Sequence, residues 1–329
     1  MNQFDAIWNR ENVVRAAFIA QRGKRRSAEI TDFFNDLPRR IAQISHQLRH
    51  QCYSFGRSVV FQVRDTKTRT IHAPPFSDRV VHHAIMSILA DDFTRGASEH
   101  SYACRPGFGQ HAALRCAKRW TRRKRWFGKM DFQRFYDSVC HNTLQKMICR
   151  KFADVRIQRL LWQIIDDFHH SPGRGIPIGA LTSQYFGNFY LDAFDRQLRA
   201  SGRCRRMLRY MDDVLVFGDR DDLRQIRGLA YQAAENLRLS TKHGGVWNRC
   251  DRGVPYLGFV LYPDRIRVNR EGRKRFGRRI GAVMRDLRRG QITDRAAQDC
   301  MRSLVAHTDF ANDVAWRRSV LDRKQECDA

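Results

Sequence analysis

The sequence has no Cys-x-x-Cys pair, no internal repeat, no low-complexity tract and no apolar run of membrane-spanning length. Each absence excludes something. Nine cysteines are scattered at positions 52, 104, 116, 140, 149, 204, 250, 300 and 327. Their odd count and wide spacing argue against a zinc knuckle or a disulfide framework and fit reduced thiols in a cytosol. The longest apolar stretch, VVHHAIMSILA at 80–90, holds two histidines and is too short to cross a bilayer. Charges run through residues 1–20, so no signal peptide is legible. A cytoplasmic protein with no membrane partner is expected.

Acid is scarce as well. Asp and Glu number 34 against 61 Lys and Arg, for a net charge of +27. Such an excess points to a polyanionic partner, most often nucleic acid. A uniform solubilising halo would spread the charge, but here it clusters. KRWTRRKR (118–125) holds six basic side chains and no acid, and residues 265–289 hold eleven basic and two acidic. RGKRR (22–26) and RCRR (203–206) are further clumps. The bias to arginine suits bidentate phosphate contacts.

What is present is 42% hydrophobic and 11% aromatic over 329 residues, enough for two or three packed units. Residues 28–50 read as one helix, with Ile30, Phe33, Phe34, Leu37, Ile41, Ile44 and Leu48 near helical spacing. Pro38 either kinks it or starts a second segment. VVFQV (59–63) and RTIHA (69–73) read as a hairpin across the charged turn RDTK. Residues 78–93 return to helical period. RWFGKMDF (125–132) reads as a strand, and 141–152 and 155–165 as helices. SPGRGIPIG (171–179) reads as a loop, and 180–200 as a strong helix. LRYMDDVLVFG (208–218) reads as a hairpin, 221–238 as a helix, and VPYLGFVLYP (254–263) as a strand or hairpin. Beyond Pro263 the chain turns basic and helical to its end.

Three carboxylates carry the chemistry. Asp131 ends one strand, and Asp212 and Asp213 sit at the turn of the later hairpin. If the two elements pair, all three converge, and convergent carboxylates demand cations. Their oxygens suit Mg²⁺, which binds through a few carboxylates plus substrate phosphates. Two such ions about 3.5–4 Å apart can activate a 3′-hydroxyl and stabilise leaving pyrophosphate.

YMDD at 210–213 resembles the signature turn of reverse transcriptases, and neighbouring motifs agree in order over nearly the whole chain. RDTKTRTIHAPPFSDRVVHHAI (64–85) resembles the fingers hairpin and helix of group II intron-like enzymes. SYACRPGFGQHAAL (101–114) resembles their next block. KMDFQRFYDSV (129–139) resembles the first catalytic strand and turn. GIPIGALTSQYFGNFYLDAFD (175–195) resembles the template- and primer-facing loop and helix, and YLGF (256–259) the primer-grip hairpin. Most relatives read Gln-Gly, three residues, then Ser-Pro in the fourth of these blocks. This chain reads Ile178-Gly179 and Ser183-Gln184, the pattern of reverse transcriptases of diversity-generating retroelements. Those enzymes copy a template-repeat RNA into cDNA mutated mainly at adenines, which then replaces a variable repeat in a target gene.

The resemblance implies an α+β right-hand polymerase. It would have fingers with N-terminal helices over 1–125, an antiparallel-sheet palm backed by helices over 126–263, and a short helical thumb over 264–329. Part of 140–175 would pack with the fingers. It implies two Mg²⁺ ions, with Mn²⁺ as substitute, on Asp131, Asp212, Asp213 and the Phe132 carbonyl. Tyr136 would be the steric gate that favours dNTPs. Arg69 matches the fingers arginine on the incoming triphosphate, and Arg64 stands where relatives carry a lysine. Ile178 replaces a glutamine beside the incoming nucleotide, and Gly179 accompanies it. Lys242 would donate a proton to pyrophosphate. Arg105 either contacts template or braces the fingers. Ser183, Gln184, Tyr210, Met211, Tyr256, Leu257 and Gly258 would face template or primer. Implied partners are template-repeat RNA, the RNA/cDNA duplex, dNTPs and a small basic pentameric accessory variability determinant, in a bacterial or phage setting. Other bacterial reverse transcriptases (retron, defence-associated or free-standing group II intron relatives) and a non-catalytic RNA-binding scaffold are the competing readings.

Overall fold

Apolar spacing becomes helix in the first hundred residues much as expected. A computed structural model describes residues 2–23, 27–64, 68–242 and 244–326, with side chains to residue 322. Residues 24–26 of the RGKRR clump, 65–67 of the charged turn, His243 and Cys327 lie outside the described residues. The chain opens with helices α1 (Gln3–Trp8), α2 (Arg10–Ala20), α3 (Ala28–Asn35) and α4 (Leu37–Arg49). The stretch read as one helix is therefore two, broken at Asp36. Pro38 lies in the first turn of α4, where its missing N–H costs nothing. Strands β1 (Val59–Arg64) and β2 (Thr68–Ala73) form the expected hairpin. Helix α5 (Phe76–Thr94) follows and packs against α2.

Helix α6 (Gln110–Arg123) leads into β3 (Trp126–Asp131), a short α7 (Phe135–Ser138), then α8 (His141–Lys151), α9 (Val155–Asp166) and α10 (Leu181–Ala200). Strands β4 (Met207–Tyr210) and β5 (Asp213–Gly218), helix α11 (Arg220–Asn236) and strand β6 (Val246–Arg249) complete a four-stranded antiparallel sheet of order β4-β5-β3-β6. The two faces of β3 follow its period of two. Met130, Val214 and Val216 pack in the core that includes α10 and α11, whereas Phe127, Leu215 and Phe217 pack in the core that includes α6. Asp131 shares the second face, at the strand's open end.

Strands β7 (Val254–Tyr256), β8 (Phe259–Leu261) and β9 (Ile266–Val268) form a separate antiparallel sheet. Helices α12 (Arg270–Arg288), α13 (Asp294–Thr308) and α14 (Val314–Glu326) end the described chain. Two strands differ from the sequence reading. The chain beyond Pro263 is not helical throughout, because β9 intervenes. Edge strand β6 was not anticipated either. At three and four residues, both are too short to show alternation. The eight described cysteines are all free, and among the described residues no helix is long and apolar enough to cross a membrane.

Buried histidines give this fold a defined acid sensitivity. His82, on α5, packs its ring against Phe55 at 5.7 Å, and burial pushes its pKa down to about 3. Burial also lowers His72, His83, His100, His141 and His307. A histidine depressed in the folded state takes up its proton on unfolding, so stability falls as pH drops below about 6.5. At pH 5, His82 alone is expected to cost about 2 kcal/mol. Urea midpoints at pH 7.5 and pH 5 check this: His82→Leu should narrow the gap between them.

Candidate active site

The hairpin turn brings the three carboxylates together. Register pairs Asp131 of β3 with Asp213 of β5, and Asp213 with Tyr210 of β4. Directly opposed side chains on antiparallel strands have Cβ atoms about 4.5–5.5 Å apart. Met211 and Asp212 alone connect β4 to β5. Met211 is left-handed, with φ of 53°, where a two-residue hairpin would favour glycine. Burial, then Asp131 and Asp213, push the Asp212 carboxyl up to about 6.

Two ammonium groups stand among these carboxylates. Lys129 Nζ lies 3.1 Å from Asp213 Oδ1, and Lys242 Nζ pairs with Asp131. The Lys242 N–H also donates to the Asp131 carbonyl at 2.9 Å, and the Gln133 N–H to Ser240 O at 2.7 Å. The loop carrying Lys242 is thus stitched beside the end of β3. Among the described residues, no three carboxylate, imidazole or thiolate groups are closed to metal-ligand spacing. The donor set nonetheless fits a divalent cation. Its oxygens are hard, and three carboxylates there face two lysines.

A cleft of ≈ 800 Å³ opens beside these groups. Asp212, Asp213, Tyr136, Arg69, Ile178, Tyr210, Met211, Lys242 and Leu257 all line it. The Tyr136 hydroxyl is raised by burial and by Asp212 nearby. Arg64 is not in the lining. Register pairs Arg64 with Thr68 but Val63 with Arg69, so the two arginines point to opposite faces of the hairpin. The lining also holds His170, and Arg134, Asp137 and His72, which sequence reading did not single out.

Several residues expected to touch substrate have other surroundings. Gly179 has φ of 121°, and a Cβ there would sit 2.7 Å from His72 O. Its glycine is required by the close approach of β2. The Ile178 carbonyl beside it accepts the His72 N–H at 2.8 Å, anchoring the hairpin. Arg105 braces its own loop: it donates to Ser98 O and Ser101 O at 2.7 and 2.9 Å and lies 4.0 Å over the Phe108 ring. Ser183 is buried with its hydroxyl unpartnered among the described residues, whereas Gln184 is exposed and its Oε1 lies 3.2 Å from Cys104 Sγ. Tyr256 is buried, its hydroxyl likewise unpartnered. Leu257 and Gly258, at φ of 46° and 87°, form the tight turn between β7 and β8. Leu257 O accepts from Gln110 Nε2 at 2.9 Å. Phe132 is buried, its ring 5.2 Å from Phe194.

Arg134 sits between Asp131 and Tyr136 with φ of 45°. A left-handed non-glycine residue costs about 1–2 kcal/mol. Its exposed side chain lines the cleft. Arg134→Gly is expected to raise Tm by about 2 °C while weakening dNTP binding. A melting curve and a dNTP titration on the same sample test both.

An antiparallel sheet backed by helices, with carboxylates at a tight turn facing a basic cleft, defines a nucleotidyl-polymerase palm. The family described as reverse transcriptase (RNA-dependent DNA polymerase) matches residues 62–261, and the chain belongs to it. Protein YkfC of Escherichia coli (strain K12) is 28% identical over 177 residues, 50% of this chain and 46% of that protein. Group II intron-encoded protein LtrA of Lactococcus lactis subsp. cremoris is 26% identical over 146 residues, 43% of this chain and 24% of LtrA. The chain thus spans less than half the length of these curated relatives. A telomerase from Candida albicans, solved in complex with a TWJ fragment of telomeric RNA, superposes with a TM-score of 0.51 at 11% identity. The match covers 82% of this chain and 55% of that one. The right-hand polymerase fold expected from sequence is the observed one.

Proposed function

We propose that this chain is the RNA-directed DNA polymerase of a diversity-generating retroelement, making adenine-mutagenic cDNA from a template-repeat RNA. The observation that carries the catalytic half is the registered Asp131–Asp213 pair with Asp212 on the connecting turn. The retroelement half rests on Ile178, whose side chain lines the nucleotide cleft where relatives place a glutamine. An isoleucine offers no hydrogen bond there, and a site without polar readout discriminates weakly.

Asp131, Asp212, Asp213 and the Phe132 carbonyl would hold two Mg²⁺ ions, with Mn²⁺ as substitute. Bound there, such ions lower the pKa of a coordinated 3′-hydroxyl and offset charge on the departing pyrophosphate. The chain's own residues do the rest. Arg69 and Arg134, both lining the cleft, would meet the triphosphate. Lys242, which pairs with Asp131, would donate a proton to pyrophosphate. Tyr136 fills the space a ribose 2′-hydroxyl would need, so Tyr136→Ala should raise rNTP incorporation at least about 10-fold, read by single-nucleotide extension with each triphosphate. Leu257 and Gly258 present their turn to the primer strand, and Gln184 and Tyr210 stand beside the template path. A pentameric basic accessory protein, acting with the structured template RNA in a bacterial or phage-infected cytoplasm, belongs to the same reading.

Sequencing cDNA made on a defined RNA template, with the neighbouring small protein present, tests it. Errors concentrated at template adenines are expected. Uniform fidelity at all four bases would reject the mutagenic half and leave a polymerase. The similarity to LtrA favours a free-standing group II intron relative as the second reading. A nearby pair of repeats differing at adenines decides between the two.

A further inference from the structure

We propose a second nucleic-acid site, for single-stranded RNA, at the β6 edge of the palm sheet beside helix α11, built from Trp126, Trp247, Arg220, Arg224 and Arg227. It goes beyond the catalytic reading. Trp126 begins β3, five residues before Asp131. At about 3.4 Å per residue that is roughly 17 Å of strand, so a nucleotide held at the catalytic end does not reach it.

The platform is built into the sheet. Register pairs Gly128 of β3 with Trp247 of edge strand β6. A Cβ on Gly128 would fall 2.1–2.7 Å from three atoms of the Trp247 ring. The glycine therefore lets the indole lie flat across the strand. Trp126, two residues earlier, shares that face. The Trp247 Nε1–H finds no acceptor among the described residues. Covering a glycine with an aromatic ring is a common sheet device, and alone it would imply nothing more.

The arginines supply the second observation. Helix α11 buries Leu223, Ile226, Ala230, Ala233 and Ala234 and presents Arg220, Arg224 and Arg227 outward. Their spacing, i, i+4 and i+7, puts them on one stripe. None has an ion-pair partner among the described residues. Arg220 lies 5.5 Å over the Trp126 ring and Arg227 5.9 Å over that of Trp247. Between them is a cleft of ≈ 270 Å³. That is below the ≈ 300–1,000 Å³ of small-molecule pockets. A strand laid across the rim fits better than an enclosed ligand.

The ligand chemistry follows. Guanidinium forks take phosphate oxygens, and indole faces take splayed bases, the combination that holds single strands without reading sequence. A duplex keeps its bases stacked inside and cannot use the indoles. The site also accounts for a basic cluster that catalysis leaves unused. Within KRWTRRKR, Lys118 and Arg122 are spent on carbonyls of the β8–β9 turn. Arg123 and Arg125, by contrast, are exposed, and Arg125 directly precedes Trp126.

Tryptophan fluorescence of the full chain, titrated with single-stranded RNA in metal-free buffer, tests the proposal. Quenching is expected, and Trp126→Phe with Trp247→Phe should remove most of it. Arg220→Glu, Arg224→Glu and Arg227→Glu together should weaken binding at least about 10-fold and lower the salt slope by about 2, the share of three phosphates on a single strand. Thermal melts confirm that each variant folds. Extension of a short hairpin template should be unchanged in the triple variant, which separates failure here from failure of the polymerase reading. Unchanged affinity, slope and quenching would overturn the proposal. Equal loss for duplex and single strand would also overturn it, as a diffuse charge effect. So would intact RNA binding with loss of polyglutamate binding, which would assign the patch to an acidic protein.

Discussion

A chain carrying Asp212→Ala and Asp213→Ala will extend no primer above background and will still bind RNA. Asp213 sits opposite Asp131 across the β3–β5 ladder, and Asp212 lies on the turn that joins β5 to β4. Removing both leaves Asp131 as the one carboxylate of the three. Loss of a single preorganised electrostatic contact costs about 10²–10³-fold in rate, so the pair should cost more than about 10³-fold. The basic surfaces that meet phosphate are untouched, so affinity for RNA should stay within about twofold. The same change should raise thermal stability in metal-free buffer. Three carboxylates crowd one turn, and the Asp212 carboxyl is already displaced to about 6 by burial and by its neighbours. Activity and stability are thus expected to move in opposite directions, as at a site where strain serves function. Primer extension, filter binding and a melt in EDTA give the three readings. Retained extension would remove the metal assignment.

The second large effect is expected at Arg209, one residue before the YMDD turn. Its side chain is fully buried. Nε donates to both Asp195 oxygens at 2.9 Å, and Nη2 to Asp192 Oδ1 at 3.1 Å. Nη1 donates to Asn188 Oδ1 at 2.9 Å and to the Met211 carbonyl at 3.2 Å. The guanidinium thus ties helix α10 to the left-handed residue of the catalytic turn. Removing one member of a buried ion network strands the others and costs about 3–5 kcal/mol, a large part of the 5–15 kcal/mol that holds a typical domain. Arg209→Ala should therefore fold poorly or melt far lower. Arg209→Lys keeps the charge but loses the fork. It should fold while its turn is no longer held, and extension should fall with RNA affinity intact.

The two aspartates should differ. Asp195 takes the close bidentate contact, whereas burial pushes Asp192 up to about 6 despite Arg209. Asp192→Asn should be tolerated and Asp195→Asn should not. Equal melts for the two would reject the network as described.

The parts of the site legible in the sequence were those that local chemistry dictates. An Asp-Asp pair between β-rich runs announces a turn, and Asp131 closes a strand of the right length to meet it. Arg209 stood inside that same stretch unread, because its partners lie 14 and 17 residues upstream on α10. Only packing reveals that a strand position holding arginine is fully enclosed. Helix boundaries came out nearly right because they follow apolar spacing. Strands β6 and β9 did not, being shorter than any pattern. Gly179 was read beside the incoming nucleotide, and the approach of β2 that requires its glycine has no local signal. Arg134 carries no local signal, because a left-handed arginine looks in sequence like any other.

Both faces of β1 are exposed, Val59 at 67% and Val60 at 56%. A lone two-stranded hairpin is only marginally stable in water. The His72–Ile178 backbone bond and the gap left by Gly179 tie it to the palm-side loop. Ile178, read from sequence as a departure from the family pattern, therefore also anchors the hairpin. Under the proposed function, a change at Ile178 would then act on copying in two ways: through the wall beside the base, and through the seat of the hairpin that carries Arg69.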